Sequence, residues 1–459
     1  MPSLSVNSKR GLVIVLVAMT AIASAAITWK VGHDYDRRRE ADRMRSLGFG
    51  VRPTPLWTLD VKRLTDQPGE VLRTIPSLDN GNGYGTLVDS STHLIAALGQ
   101  PRTYGGADIT SDVTLVGLDR TQGSTVWKRP LGPVRQCSEG PVTDAIACWS
   151  DRRVIIVDTA TGRVRSETTP GFDVSGVSII DGTTFINGSR GQGPSTTVVI
   201  QAGTADKPMS SFTRLVPNAG TSASVTELVP SRNLFIVGGL GDPYSMSTVY
   251  ALDTGTRRFA VNGSLRPIGV DLFRAESLDR YTEQLMDDNG TTLQNQRLSL
   301  AGGSFQPQVL ATPFAPVVMG DGVFDPTSGA LLWRDPVLDW GRPVGGVTPA
   351  IVGDVLVAGS LDGNLIGIDT RTGRRVWTTP WRNSFTARIG ITDGRYLVFG
   401  DLSGMHSLDT VTGRIVWSVE SPGTDVDRYT YVSGARGDIV RSAKDSISVW
   451  RARTGPDPA

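Results

Sequence analysis

The feature that most constrains the fold of this 459-residue chain is a stretch of sixteen residues that occurs twice. The first copy, LIGIDTRTGRRVWTTP, runs from Leu365 to Pro380, and the second, MHSLDTVTGRIVWSVE, runs from Met405 to Glu420. A unit that recurs with a period of about 20–50 residues is typical of repeat folds, because one unit cannot bury its apolar surface alone. The duplication therefore predicts a repeat domain.

Weaker copies extend the repeat over most of the chain, and neighbouring clear copies lie about forty residues apart, the length of one four-stranded propeller blade. Their turn residues are Asp119, Asp158, Asp253, Asp325, Asp369 and Asp409, and a last copy ends at Gly455. With a further turn near residue 205, these are eight turn markers. The sequence therefore predicts an all-β, eight-bladed propeller, with seven blades as the alternative. The long interval between residues 253 and 325 leaves room for an additional or irregular blade.

The pattern inside the unit explains how it folds. Alternating runs such as NLIGID and RRVW indicate short strands. Between them, an Asp side chain accepts hydrogen bonds from its own backbone and a Gly supplies a positive φ angle. The Trp that ends each clear copy is large enough to fill the gap between neighbouring sheets. The residues with these structural roles are Asp119, Gly123, Trp127, Asp325, Gly329, Trp333, Asp369, Gly373, Trp377, Asp409, Gly413 and Trp417.

The two ends of the repeat complement each other. The last unit stops at its turn, in VWRARTGPDPA, and no outer strand follows. The stretch PLWTLDV, Pro55 to Val61, has the form of that missing strand. We therefore predict that Trp57 lies in the outermost strand beside residues 440–452, and that this pairing closes the ring without an open sheet edge.

These copies resemble the repeats of the quinoprotein, or pyrroloquinoline-quinone-like, β-propellers, whose unit has the form L-D-x-x-T-G-x-x-x-W. The resemblance covers roughly residues 54–456 and is strongest over 351–420. The family has an enzymatic branch of quinone (PQQ)-dependent dehydrogenases. It also has a non-enzymatic branch, which includes a propeller component of outer-membrane barrel assembly. This chain resembles the non-enzymatic branch, which implies a binding or scaffold role.

The sequence lacks features that the resemblance associates with the enzymes. Many of those enzymes have two adjacent cysteines, whereas Cys137 and Cys148 are separated, and no C-x-x-C-H haem motif is present. We interpret the repeat Asp residues as turn residues. We interpret MDDNGTT, Met286 to Thr292, as a plain turn, because it lacks the ligand spacing of an EF-hand loop. We therefore expect no catalytic residue, no cofactor and no metal, with a quinone-dependent dehydrogenase as the alternative.

The N-terminus carries a targeting signal. Lys9 and Arg10 precede an uncharged apolar segment whose eighteen residues, as a helix, span about 27 Å, enough for a bilayer core. The sequence therefore divides into a cytoplasmic tail (1–10), a transmembrane anchor or signal segment (11–29), a charged stalk (30–53) and the propeller (54–456). A cleaved signal peptide is the alternative to a retained anchor, because residues 23–25 have the small-x-small form of a cleavage site.

The sequence gives two opposing indications of the side of the membrane on which the domain lies. Basic residues between Lys30 and Arg45 would keep the domain in the cytoplasm under the positive-inside rule. Cys137 and Cys148 flank a Gly-Pro turn and predict a local disulfide, which forms in an oxidising compartment. Two unrelated buried thiols are the alternative. We place the domain outside the cytoplasmic membrane as a single-pass protein, or in the secreted fraction if the signal is cleaved.

The charge balance restricts the class of partner. Lys and Arg number 46 and Asp and Glu number 45, so the chain is nearly neutral. A nearly neutral chain has no broad electrostatic attraction for nucleic acid. We expect a monomeric propeller that binds a protein or another envelope partner through loops on one face. The irregular stretch 262–322 is the best candidate for that surface, because it departs from the repeat and is long.

Overall fold

The structure is a computed structural model. It describes residues 48–451 apart from 66–69, 74–86, 91–92, 101–110, 139–143, 192, 218–220, 241–244, 269–270, 278–281, 298–314, 340–345, 361, 382–389, 402, 421–430, 436–437 and 444–445. The predicted tail, the membrane segment and most of the predicted stalk lie outside these residues. Within the part of the chain that is described, no helix is both long and apolar enough to cross a membrane.

The described residues form nine antiparallel sheets, which are the blades of a β-propeller. The first strand, β1 (Thr54–Asp60), belongs to the last blade, and the others are numbered 1 to 9 along the chain from β2. Blade 1 contains β2 (Val71–Arg73), β3 (Val88–Asp89), β4 (Leu94–Gly99), β5 (Ser111–Leu118) and β6 (Thr125–Val134). Blade 2 contains β7 (Gln136–Cys137), β8 (Ala145–Ser150), β9 (Arg153–Asp158) and β10 (Val164–Thr168). Blade 3 contains β11 (Asp173–Ile180), β12 (Thr183–Arg190), β13 (Thr197–Gly203) and β14 (Phe212–Val216).

The remaining blades follow the same order, except that blade 6 has three described strands. Blade 4 contains β15 (Thr221–Val229), β16 (Leu234–Leu240), β17 (Ser245–Ala251) and β18 (Arg257–Asn262). Blade 5 contains β19 (Ser264–Ile268), β20 (Leu272–Ser277), β21 (Thr282–Met286) and β22 (Thr292–Arg297). Blade 6 contains β23 (Val317–Met319), β24 (Gly322–Phe324) and β25 (Leu331–Arg334). Blade 7 contains β26 (Gly346–Val352), β27 (Val355–Ser360), β28 (Asn364–Asp369) and β29 (Arg375–Pro380).

Blade 8 contains β30 (Gly390–Thr392), β31 (Tyr396–Gly400), β32 (Gly404–Asp409) and β33 (Ile415–Glu420). Blade 9 contains β34 (Tyr431–Ala435), β35 (Asp438–Ala443) and β36 (Ser446–Arg451), completed by β1. Short 3₁₀ turns are formed by Val61–Arg63, Gly193–Ser195, Pro230–Arg232 and Pro336–Leu338.

Inner and outer strands have different sequence patterns because their surroundings differ. The inner strand β8 reads AIACWS and is buried at all positions but the last, since both of its faces meet neighbouring blades. The outermost strand β33 reads IVWSVE, and its exposed residues alternate with more buried ones. The apolar core therefore lies between the faces of adjacent blades. One cluster combines Ile95 and Leu115 of blade 1 with Ile146 and Ile155 of blade 2.

The predicted number of blades, eight or seven, is wrong, because the described residues contain nine. The additional blade is blade 5, within the stretch that departs from the repeat. Its outer turn, Asp287 to Thr291, joins β21 to β22 but lacks the D-x-x-T-G signature. The Asp287 carboxylate nevertheless accepts hydrogen bonds from the backbone N–H groups of Asn289 and Thr291, so a different sequence makes an equivalent turn.

The ring is closed by pairing of the first strand with the last. β1 runs antiparallel to β36, with Thr54 opposite Arg451 and Trp57 opposite Val449. Blade 9 therefore takes three strands from the end of the chain and its outermost strand from the beginning. This exchange leaves neither terminal strand without a partner, which removes an open edge between the ends of the repeat.

Each four-stranded blade has two edges. The turn edge carries the connections between first and second strands and between third and fourth strands, including the repeat turns that begin at Asp119 and Asp369. The distal edge carries the connections between second and third strands, such as Asp151–Arg152 and Asp362–Gly363. The two edges follow from the antiparallel order of consecutive strands, because each strand ends at the edge opposite to the one at which it begins.

Candidate functional site

Five of the six repeat Asp residues hold their own turns in the same way, whereas in blade 4 the turn carbonyl that accepts from Gly255 belongs to Ala251 and not to Asp253. Oδ1 of Asp119 accepts hydrogen bonds from the backbone N–H groups of Thr121 and Gln122, both at 2.8 Å, and from the Thr121 hydroxyl at 2.6 Å. The hydroxyl, followed by the two N–H groups, lowers the pKa of Asp119. Equivalent bonds are made by Asp158, Asp325, Asp369 and Asp409. These carboxylates are therefore engaged in turn geometry.

Each repeat Trp joins its blade to the next. The indole N–H of Trp377 in blade 7 donates to the carbonyl of Thr410 in blade 8, with 2.7 Å between the two atoms. The same ring lies against Gly413, whose φ of 74° places it in the left-handed region. A Cβ atom there would come within 2.5 Å of the indole ring. We call a side-chain hydrogen bond from one blade to a backbone carbonyl across the interface a blade lock, and here a glycine packs beneath it.

Blade locks with Trp occur at five consecutive interfaces around the ring. Each indole N–H donates to a backbone carbonyl across the interface. The donor and acceptor pairs are Trp57 and Arg120, Trp127 and Thr159, Trp333 and Thr370, Trp377 and Thr410, and Trp417 and Phe49. They cover the interfaces from blade 6 through blade 9 to blade 2.

At the other four interfaces, different side chains occupy the position of the Trp. Between blades 2 and 3, the Ser166 hydroxyl donates to the carbonyl of Ala205 at 2.7 Å. Between blades 3 and 4, Nε of Arg214 donates to the carbonyl of Leu252 at 3.1 Å. Between blades 4 and 5 and blades 5 and 6, Phe259 packs on Gly290 and Leu293 packs on Gly329. The ring thus has an arc with Trp locks and an arc without them.

The lock between blades 8 and 9 uses the segment that precedes β1. The Phe49 carbonyl accepts from the Trp417 indole at 2.8 Å and from the Ser407 hydroxyl at 2.9 Å. Its N–H donates to Oδ2 of Asp393 at 3.1 Å. The Phe49 side chain is buried in the cluster between the two blades. The sequence contains no copy of the repeat motif at this position, so the repeat pattern did not identify Phe49.

The predicted disulfide is confirmed. Cys137 of β7 and Cys148 of β8 are directly opposite each other and bonded, with 2.07 Å between the sulfur atoms. Both are buried between blades 1 and 2. A pair of sulfurs bonded across two strands in the core is not the ring of adjacent cysteines found in the enzymatic branch.

Within the described part of the chain, a cluster of polar and ionisable side chains surrounds His406 in blade 8. Its Nε2 lies 3.0 Å from Oδ1 of Asp401, and its Nδ1 lies 2.9 Å from the hydroxyl of Ser418. The Ser403 hydroxyl lies 3.0 Å from Nε2 and donates to the same Asp401 oxygen at 2.7 Å. The indole of Trp381, which follows blade 7, meets the imidazole edge-on at 4.9 Å between ring centroids.

The order Asp401–His406–Ser418 resembles that of a hydrolytic triad, but its surroundings fit a structural network. One ring nitrogen of His406 faces the Asp401 carboxylate and the other faces the Ser418 hydroxyl, so both are engaged within blade 8. Burial raises the pKa of Asp401, but hydrogen bonds from His406 and Ser403 outweigh it, so the net pKa is lowered. Asp401 and His406 are buried. The network joins strands β32 and β33 of blade 8, and the Trp381 ring packs against its imidazole. Single-residue patterns did not identify this cluster, because its members come together only through strand pairing.

The turn from Met286 to Thr292, interpreted above as a plain turn, is held by internal contacts. Asp287 caps the turn, and Asp288 forms an ion pair with Arg232 of the preceding blade. Within the described ranges, no three His, Cys, Asp or Glu side chains lie close enough together to hold a metal ion.

Comparison with known proteins gives matches in sequence and in structure. Residues 322–453 match the family model described as outer membrane protein assembly factor BamB. The curated BamB of Shewanella oneidensis is 34% identical over 96 residues, which span 21% of this chain and 22% of that protein. The match therefore covers about a fifth of the relative's length.

Two solved structures illustrate the structural matches. BamB from Moraxella catarrhalis has 12% identity and a TM-score of 0.43, and the match covers 88% of this chain and 99% of that one. The quinohemoprotein alcohol dehydrogenase of Comamonas testosteroni has 11% identity and a TM-score of 0.44, and the match covers 89% of this chain and 78% of that one. The structure is a β-propeller of nine described blades, and its residues 322–453 are similar to the BamB family model.

Proposed function

We propose that the protein is a non-catalytic scaffold that binds another protein of the cell envelope. The observation that carries the proposal is that the polar groups of the repeat form hydrogen bonds within the propeller. The carboxylates of residues such as Asp119 and Asp369 bond within their own turns, and the carbonyls of those turns accept the locks of the preceding blade. A residue engaged in this way stabilises the propeller and is a poor candidate for an acid or base.

The match with the BamB family model supports an envelope role. The matched relative is called an outer membrane protein assembly factor, and the similarity includes the clear repeat copies of blades 7 and 8. Function does not follow from fold alone, so assembly of outer-membrane proteins is one instance of the wider proposal. The essential property that we propose is a rigid ring that presents loops to a protein partner.

We further propose that the chain is held at the outer side of the cytoplasmic membrane by its uncharged segment, residues 11–29. The length of that segment and the basic pair before it support an anchor, and the disulfide supports an oxidising compartment. Cleavage after the segment would instead release the propeller. Extraction of membranes with carbonate distinguishes these outcomes, because only an integral protein stays in the pellet.

The irregular stretch 262–322 has three parts, the last of which, residues 315–322, contains β23 and the start of β24 in blade 6. Ser264–Arg297 forms blade 5, so this portion contributes a regular scaffold. Residues 298–314 lie outside the described ranges. We propose that connections at one edge of the propeller carry the partner site, since blades pack against each other while connections tolerate variation. Loop exchange in this stretch tests that proposal if melting is measured alongside partner capture.

The alternative is a quinone-dependent dehydrogenase. The purified protein, incubated with pyrroloquinoline quinone and Ca²⁺, is expected to reduce no dye with alcohols or sugars. Turnover above a matched sample without quinone would overturn the scaffold proposal. Cross-linking in membranes provides the positive test: a photoreactive side chain at Arg152, an exposed residue of the distal edge, is expected to give a discrete protein adduct.

A further inference from the structure

We propose that the turn edge of the propeller faces the membrane and that the distal edge faces away from it. This inference rests on the proposed membrane tether and adds an orientation to it. It also identifies the edge that is accessible to an envelope protein. Three observations lead to it: where the chain enters the ring, how short the preceding segment is, and how the two edges differ.

The chain enters the ring at the turn edge. The N–H of Phe49 donates to Asp393, which lies in the connection between β30 and β31. The next residue, Gly50, lies against the ring of Tyr396 at the start of β31. The carbonyl of Phe49 is held by Trp417 and Ser407. Phe49 and Gly50 are therefore attached to the turn edge, which is the point at which the preceding chain reaches the ring.

The length of chain between this point and the proposed anchor limits the orientation. Residues 30–48 connect the two, and their sequence, rich in Arg, Glu and Asp, favours a helix. As a helix, residues 30–47 would span about 27 Å, because Gly48 has a φ of 66° and lies outside it. A blade strand of six residues is about 20 Å tall. A stalk that had to pass the height of a blade would use most of its length, whereas one that runs directly to the turn edge would not.

At the turn edge, polar groups form hydrogen bonds within the propeller. At the turn edge, the backbone carbonyls of Arg120 and Thr370 accept the locks, and the Asp carboxylates cap the turns. Connections vary in length at both edges, from the pair 151–152 to the residues between Gly99 and Ser111 at the distal edge, and from the pair 181–182 to the residues between Arg73 and Leu94 at the turn edge. Because the carbonyls and carboxylates of the repeat turns already bond within the propeller, we take the distal edge as the one that meets the partner.

Two arginines offer a matched pair of labelling sites. Arg371 at the turn edge and Arg152 at the distal edge each have 75% of the side chain exposed, and each forms a surface ion pair, with Asp354 and Asp173 respectively. The native cysteines are bonded to each other, so a thiol-reactive dye attaches only to a newly introduced cysteine. The variants are Arg371→Cys and Arg152→Cys in the full chain. Val411→Cys provides a second turn-edge site.

The experiment measures energy transfer from the dye to acceptor lipids in vesicles that contain the full chain. We expect stronger transfer from positions 371 and 411 than from position 152, with a difference that corresponds to a height of about 20 Å. Equal transfer, or stronger transfer from position 152, would overturn the orientation. Carbonate extraction of the same vesicles separates the two proposals. Release of the protein would reject the tether and the orientation together, whereas retention with reversed transfer would reject the orientation alone.

Discussion

The Phe49 carbonyl and the Trp417 indole nitrogen lie 2.8 Å apart, although 368 residues separate them in the chain. Eight residues after Phe49, Trp57 makes the equivalent bond to Arg120 of blade 1. The segment from Phe49 to Trp57 therefore supplies the acceptor of one blade lock and the donor of the next. Closure of the ring depends on this segment at both sides of blade 9.

Phe49→Ala is expected to lower the free energy of unfolding by about 3–5 kcal/mol, because the substitution leaves a cavity in the cluster between blades 8 and 9. Chemical denaturation followed by Trp fluorescence measures the change. The control is Val51→Ala, two residues further on, where the side chain is 51% exposed. Similar small losses in both variants would show that Phe49 is not part of the closure.

Glycine substitutions separate backbone strain from packing in the lock. Gly373 and Gly182 have similar positive φ angles, 70° and 75°. A Cβ at Gly373 would meet the Trp333 indole at 2.8 Å, whereas one at Gly182 would meet nothing within 4 Å. We expect Gly182→Ala to cost about 1–2 kcal/mol from strain alone, and Gly373→Ala to cost clearly more. Equal losses in thermal and chemical denaturation would contradict the role of the glycine in the lock.

The contribution of the indole to the lock can be tested with a smaller aromatic ring. Trp377→Phe leaves the Thr410 carbonyl without the indole donor and removes part of the ring that packs on Gly413. The expected loss is at least about 1 kcal/mol, the typical contribution of the hydrogen bond alone. Val376→Ala, at the exposed neighbouring position, provides the control and should change stability by less. A Phe variant as stable as the parent would mean that the indole bond adds nothing to the ring contact.

Much of the fold could be predicted from sequence because the repeat combines turn chemistry with strand periodicity. Residues such as Asp369 and Gly373 have a local reason to be where they are, since one caps a turn and the other adopts a positive φ. The predicted number of blades was too low because a blade can form its turn without the repeat motif. Blade 5 makes its turn with Asp287 through the same physics but with different spacing, so a motif count omits it.

The locks without Trp and the His406 cluster could not be predicted from single-residue patterns. Ser166 and Arg214 replace Trp at the interface but share with it only the ability to donate a hydrogen bond. Asp401, His406 and Ser418 lie on a strand connection and on two paired strands, and their contacts depend on register. Register is fixed by the whole blade, so no local signal marks these residues.

Reduction of the disulfide is expected to destabilise the propeller moderately. The bond between Cys137 and Cys148 closes a loop of eleven residues, for which loss of chain entropy corresponds to about 3 kcal/mol. The Cys137→Ala, Cys148→Ala double variant should therefore melt below the parent, and reducing agent should lower the melting temperature of the parent only. Labelling of both cysteines by a thiol reagent in denatured, unreduced protein would contradict the bond.

The pH dependence of stability should differ in sign between two buried carboxyl groups of blade 8. The pKa of Asp401 is lowered, so its ionised form adds stability above the ordinary value of 3.8, and this stability is lost as the pH falls through the folded-state pKa. Asp401→Asn is expected to cost about 1.5–3 kcal/mol at pH 7, with a smaller difference from the parent below pH 4.

Burial raises the pKa of Asp393 despite its hydrogen bonds from backbone N–H groups, so the protonated form is favoured in the folded state. For Asp393→Asn, the parent should therefore gain stability relative to the variant as the pH falls from above the raised pKa towards 3.8. Denaturation of the parent and both variants at matched pH values measures these differences, and parallel profiles for the two variants would contradict the assignment.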